Sequence, residues 1–239
     1  MVYISTIKDT QRKIDERSLY ERSYDKKLNK PLDFSPLTWI KGTEDRKLAR
    51  CYDLLGICTD KRILDIGCGD GFRSLRYAMQ GGVVIGFDIS RSAIEIAKKR
   101  TAKYPNAIFL LADAEYMPFK SSCFDVVSCI ALIEHIDNQE KMVSEINRLL
   151  RINGKVIIQT INKKNKYTVN GILKTFFPLY DKRMQDSAGH SYDRFLTVDE
   201  LGELCLNRGL KIDYVAYTET FVDWIWIHIV LLKLTKFGS

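Results

Sequence analysis

Between residues 60 and 160, short apolar runs rich in β-branched residues alternate with amphipathic stretches. The pattern predicts strands at 62–66, 83–88, 108–112, 124–129 and 155–160, with helices at 72–79, 92–103 and 139–150 between them. The strands are almost continuously apolar, as expected when helices cover both faces of a sheet. Such alternation builds a doubly wound, mostly parallel α/β sheet. Upstream, Leu48, Tyr52 and Leu55 recur at helical spacing between a Thr43 N-cap and a Gly56 stop. Downstream, Thr197 with Glu200 forms a capping box for a helix at 198–207, and a strand follows at 210–217. The apolar segment 225–234 reads as an antiparallel closing strand, with a terminal amphipathic helix as the alternative. Ser92 with Glu95 is a further candidate capping box, and Asn153-Gly154 a turn.

This divides the chain into an N-terminal arm or partial lid, 1–42, and one domain, 43–239, with a cap segment at 162–196. Pro31 and Pro36 break any long helix in the arm. Connections as long as 162–196 in a small domain are usually functional lids. A length of 239 residues suits one core, and 46% hydrophobic with 28% charged residues argues against disorder. The net charge of +7 is spread among interleaved acids and bases, so no nucleic-acid partner is expected. Six cysteines without CxxC spacing read as free thiols, and the N-terminus lacks an apolar core of signal-peptide length. A cytoplasmic protein without a membrane-spanning helix is the expectation.

The chemistry concentrates at strand ends. The first strand runs into Gly67-Cys68-Gly69-Asp70-Gly71 and a helix, a turn that lets a ligand approach the backbone closely. The second strand ends at Asp88, whose carboxylate can accept both hydroxyls of a ribose diol, and the third runs into Asp113. A nicotinamide dinucleotide fits less well. Phe72 stands where its fingerprint wants a third glycine, and Asp65 and Asp70 disfavour a pyrophosphate. A ligand carrying an ammonium and a sulfonium is favoured by the same carboxylates.

In order and spacing, ILDIGCGDG, VIGFDIS, LLADAEYMPF, FDVVSCIALIEHI and EINRLLRINGKVIIQT resemble the motifs of class I S-adenosylmethionine-dependent methyltransferases. The resemblance implies a Rossmann-like, seven-stranded sheet with an antiparallel last strand and a small cap, and S-adenosylmethionine as cofactor. It places Asp65, Gly67 and Gly69 along the methionine moiety, Asp88 and its neighbour Ile89 at the ribose, and Asp113 with Ala114 at the adenine. The Cys129 carbonyl is implied as an acceptor for the cofactor ammonium. Together with QTINKKNKY and GHSYDRFLTVDELGELCLNRGLK, the sequence is most similar to the ubiquinone-pathway O-methyltransferase group. Where those enzymes carry an acidic residue ahead of the Glu-His pair, this chain has Ala131, so no metal is expected.

Glu134 and His135 follow the fourth strand, beside the expected methyl group, and histidine titrates near pH 6.5, suited to deprotonating an aromatic hydroxyl. They are the catalytic candidates; His190 and Tyr192, from the cap, are the candidates for contacting substrate. The expected activity is methylation of a small or lipid-like molecule, on oxygen in the first instance. N- or C-methylation of another metabolite, or a non-catalytic cofactor-binding module, are the alternatives. Within the cap, Val169, Ile172, Leu173 and Phe176 give a helix near 167–177 one apolar face, flanked by Lys163, Lys164, Lys166, Lys182 and Arg183. That face suits either a lid over its own pocket or peripheral contact with an anionic membrane.

Overall fold

Strands that are apolar on both sides need two layers of cover, and the helices supply them. The computed structural model describes Ser18 and residues 20–25, 51–162, 194–218 and 229–236. Its strands are β1 (Arg62–Ile66), β2 (Val83–Asp88), β3 (Ala107–Leu111), β4 (Phe124–Ile130), β5 (Leu150–Ile161), β6 (Leu210–Thr218) and β7 (Ile229–Lys236). They form one sheet in the order β3-β2-β1-β4-β5-β7-β6. All pairings from β3 to β5 are parallel, while β7 runs antiparallel to β5 and β6. The order reverses between β1 and β4, and the crevice at the carboxyl ends of these strands is where such sheets bind ligands.

The helices are α1 (Phe72–Met79), α2 (Arg91–Arg100), α3 (Gln139–Leu149) and α4 (Val198–Leu206), with further helical residues at 20–25 and 51–55. On one face, Leu64, Ile66, Val127 and Ile158 pack against Met142, Ile146 and Leu149 of α3 and Leu201 and Cys205 of α4. On the other, Ile63, Val84, Val126 and Ile157 meet Cys51, Leu55, and Tyr77 and Ala78 of α1. Residues 51–55 end as expected at Gly56, whose left-handed φ of 74° lets its N–H close on the Tyr52 carbonyl at 2.9 Å. Thr43 and Leu48, residues 225–228, and most of the arm and cap lie outside the described residues. All six cysteines are free thiols, and Cys123 is the half-exposed one. Among the described residues, no helix is long and apolar enough to cross a membrane.

Two local details differ from the sequence pattern. The N-cap of α2 is Ser90, whose hydroxyl accepts the Ala93 N–H at 3.0 Å, so the Ser92/Glu95 box does not form. Ser92 instead gives its N–H and hydroxyl to Glu21 Oε1, at 2.9 and 2.8 Å, and its hydroxyl also meets Asp25. These are long-range contacts that local spacing does not encode. The Asn153-Gly154 turn lies inside β5: Leu150 pairs with Phe124 and Lys155 with Val126, so the intervening residues bulge opposite Asp125. Arg151 Nη1 closes the bulge on the Asp125 carboxylate at 2.8 Å. The Thr197/Glu200 capping box is present in full.

Candidate active site

After Ile66 the chain turns through Gly67, Gly69 and Gly71, all left-handed, with φ of 64°, 54° and 74°. A Cβ on Gly71 would lie 2.7 Å from the Ala97 Cβ and 2.9 Å from its Cα, so this glycine lets α1 pack directly on α2. The close helix contact therefore falls one residue before Phe72. Asp70 is committed to the scaffold: it accepts the Phe72 N–H at 3.3 Å and pairs with Arg100 Nη2 at 2.9 Å. A Cβ on Gly69 would come within 2.7 Å of the Tyr24 hydroxyl, which places residues 20–25 against the glycine turn.

Asp88, 3% exposed at the end of β2, accepts the Gly69 N–H through Oδ2 and the Ser90 N–H through Oδ1, both at 2.9 Å. A carboxylate offers about four lone-pair sites, and besides these two N–H groups the Tyr20 hydroxyl and the Ile89 N–H also act on it. The Tyr20 hydroxyl stands 3.5 Å from Oδ2. Burial pushes the Asp88 carboxyl above its ordinary range, while the Ser90 and Gly69 N–H groups act in the opposite sense. Ile89 is half-buried beside it. Asp113 is exposed after β3 and caps its own turn by accepting the Glu115 N–H at 2.8 Å; Ala114 is buried behind it.

Strand alternation puts Asp65 on the Ile63 face, under α1. It is fully buried, its Oδ2 accepts the Ser74 hydroxyl at 2.6 Å, and burial raises its pKa. Its Oδ1 has no hydrogen-bond partner. A buried acceptor without a donor is costly, and an ammonium supplies what is missing. Arg73, on the first turn of α1, donates Nη2–H to the Gly67 carbonyl at 3.2 Å, and its buried Nε is also without a partner. Sequence reasoning passed over Arg73, because a charged residue early in a helix looks like an ordinary solvated position.

Cys129 lies fully buried in β4, paired with Ile66 and Ile158. Beyond the strand, Ala131 takes a left-handed φ of 53°, which costs an L-residue about 1–2 kcal/mol and marks a tightly determined loop. Leu132 then packs over Gly67, where an added Cβ would meet its side chain at 3.0 Å. Ile133–His135 form a 3-10 turn, with His135 half-exposed and Glu134 1% exposed. Glu134 faces inward: Oε2 accepts the Thr160 hydroxyl at 2.8 Å, Oε1 has no partner, and burial pushes the carboxyl up to about 7. Arg194 braces the turn from the far end of the cap. It donates Nη1–H to the His135 carbonyl at 2.8 Å and lies 3.1 Å from Asp137, and Gln139 bridges the Ile133 and Arg194 carbonyls. His190 and Tyr192 lie outside the described residues.

A left-handed glycine turn, a buried carboxylate ending β2 and a buried carboxylate on β1, set at the switch point of a sheet with an antiparallel β7, define the Rossmann-like class I methyltransferase fold. The glycine turn and the buried Asp65 acceptor fit a ligand that carries an ammonium, as S-adenosylmethionine does. Residues 58–199 match the model of the methyltransferase domain family, and the chain belongs to that family, whose cofactor is S-adenosylmethionine. It is 30% identical over 156 residues to the ubiquinone biosynthesis O-methyltransferase of Coxiella burnetii (strain RSA 331), covering 64% of each chain. The chain thus spans somewhat less than two thirds of that relative's length. Among solved structures it resembles an S-adenosylmethionine-dependent methyltransferase from Mesorhizobium loti, with TM-score 0.63, 16% identity, and 81% and 97% of the two chains covered. It also resembles the cyclase SpnF, with TM-score 0.67, 15% identity, and 82% and 81% covered.

Proposed function

We propose that this protein transfers a methyl group from S-adenosylmethionine to a hydroxyl oxygen of a small or lipid-like acceptor, with His135 as the base. The observation that carries this reading is the 131–136 loop: the backbone that packs Leu132 over Gly67 also carries a half-exposed imidazole at the carboxyl end of β4. When bound, the cofactor supplies an electrophilic methyl on a sulfonium. The work left to the chain is alignment, exclusion of water and removal of one proton. In this reading Asp88 anchors the ribose, Asp65 the ammonium, and Asp113 with Ala114 borders the adenine. His135 takes the proton of an aromatic hydroxyl, as an imidazole can. Glu134 is assigned to positioning, because its carboxylate is buried on Thr160 and holds the turn from within. The name of the relatives supports oxygen as the accepting atom. His190, Tyr192 and the apolar face of 167–177 complete the acceptor side in this proposal.

The test is methyl transfer to a panel of phenols and catechols bearing alkyl chains, with the product's linkage assigned by mass spectrometry and NMR. An O-methyl product is expected. A product methylated on nitrogen or carbon overturns the choice of atom. No product from the panel or from mixed metabolite extracts leaves a cofactor-binding module, a real alternative since a cyclase shares the fold.

A further inference from the structure

We propose that Arg194 is a positioning residue for His135: it fixes the backbone that carries the imidazole, and turnover depends on it through His135. This rests on His135 being the base. A 3-10 turn has little stability of its own, because its hydrogen bonds are poorly aligned. The one at Ile133–His135 is, moreover, entered through the left-handed Ala131. Within it, the His135 N–H reaches the Leu132 carbonyl at 2.8 Å and the Ile136 N–H reaches the Ile133 carbonyl at 3.2 Å. Further support comes from the chain just before α4. Arg194 donates Nη1–H to the His135 carbonyl at 2.8 Å, and its Nε lies 3.1 Å from Asp137 Oδ1. The Gln139 amide donates to the Ile133 carbonyl at 2.9 Å and to the Arg194 carbonyl at 2.7 Å. The backbone is thus held at Ile133, His135 and Asp137, on both sides of the imidazole, from a residue 59 positions beyond His135.

These contacts suit alignment more than stability. Arg194 is 8% exposed, and a buried ion pair adds little net stability because lost hydration offsets the attraction. The docking of α4 has other anchors: Phe195 is buried, Leu201 and Cys205 enter the core, and the Thr197/Glu200 box closes the first turn. A guanidinium does what those apolar contacts do not. Its Nη1 and Nε lie in one rigid plane, so holding the His135 carbonyl and the Asp137 carboxylate together fixes their relative position. A base must stand within about 2.6–3.2 Å of the proton it removes, and a displacement of about 1 Å costs on the order of 10²-fold in rate. The near end of the loop is already pinned, by Leu132 over Gly67 and by Glu134 on Thr160. Slack is left at the His135 end, where Arg194 binds.

The test is single-turnover methyl transfer from S-adenosylmethionine to the alkyl phenols and catechols, with the full-length parent, Arg194→Lys, His135→Ala and the double variant. Arg194→Lys keeps the charge beside Asp137 and loses the fork. Its rate should fall about ten- to a hundredfold, while calorimetric affinity for S-adenosylhomocysteine stays within about twofold of the parent. In the His135→Ala background the same substitution should cost less than about threefold, because a residue that acts through His135 has nothing left to position. Gln139→Met removes the amide bridge, leaves Arg194 in place and should repeat the pattern; it carries the test if thermal melts show that Arg194→Lys has lost the fold. An equal loss of rate in both backgrounds makes Arg194 a general brace and overturns the proposal. So does an undiminished rate in Arg194→Lys, or a loss of cofactor affinity as large as the loss of rate. A His135→Ala protein as fast as the parent, or a parent that methylates none of these acceptors, overturns the reading of His135 as the base, a result distinct from a misassigned Arg194.

Discussion

Glu134 Oε2 accepts the Thr160 hydroxyl at 2.8 Å while Oε1, equally buried, has no partner. The ends of β4 and β5 are thus joined through a carboxyl whose pKa burial lifts from 4.5 to about 7. A raised acid pKa means that the folded state holds the proton more tightly than the unfolded chain. The stabilisation is complete below about pH 4.5, declines as pH rises through about 7, and levels off above it. The shift corresponds to roughly 3 kcal/mol. Glu134→Gln, which keeps the shape and cannot ionise, should therefore show a flatter stability profile across this window, with its advantage over the parent growing toward neutral pH. Urea denaturation of both proteins at pH 5, 6, 7 and 8 measures it; parallel profiles contradict the buried-acid assignment.

Asp88→Ala should weaken S-adenosylmethionine and S-adenosylhomocysteine alike, since both present the same ribose. Loss of a charge-assisted contact to the diol corresponds to about 1.5–3 kcal/mol. Calorimetric affinities unchanged from the parent would remove Asp88 from the ribose site.

His135→Ala should lower turnover by about 10²–10⁴-fold while leaving cofactor affinity nearly intact, the signature of a group that acts on the departing proton. An alanine variant as fast as the parent reduces His135 to a loop residue.

Gly71→Ala should destabilise the fold by about 1–3 kcal/mol, because the new methyl meets Ala97 Cα at 2.9 Å and the backbone φ of 74° disfavours any Cβ. Gly56→Ala, whose Cβ would meet nothing within 4 Å, shares the φ of 74° and isolates the backbone term. Equal losses in the two variants, read by thermal melting, would show that contact with α2 adds nothing.

If the 167–177 segment rests on membranes, the protein should co-sediment with anionic liposomes in a salt-sensitive way, and a Phe176→Ser, Phe177→Ser double variant should not. No sedimentation at low salt leaves that face to an internal lid.

Local chemistry alone determined much of this protein. Continuous β-branched strands specified a sheet covered on both sides, and the glycines after Ile66 specified the left-handed turn that follows β1. The Thr197/Glu200 box was legible because both of its hydrogen bonds close within four residues. Tertiary structure decided what depends on distant partners. Ser92 turned from a helix cap to Glu21 and Asp25, 71 and 67 residues away, Glu134 turned inward to Thr160, and Arg194 reached the His135 carbonyl, 59 residues away. Arg73 carried no local signal at all. Its environment is made by β1, the glycine turn and residues 20–25 and 51–55 coming together, and the energy of a buried charge is set by neighbours in space, which periodicity along the chain does not record.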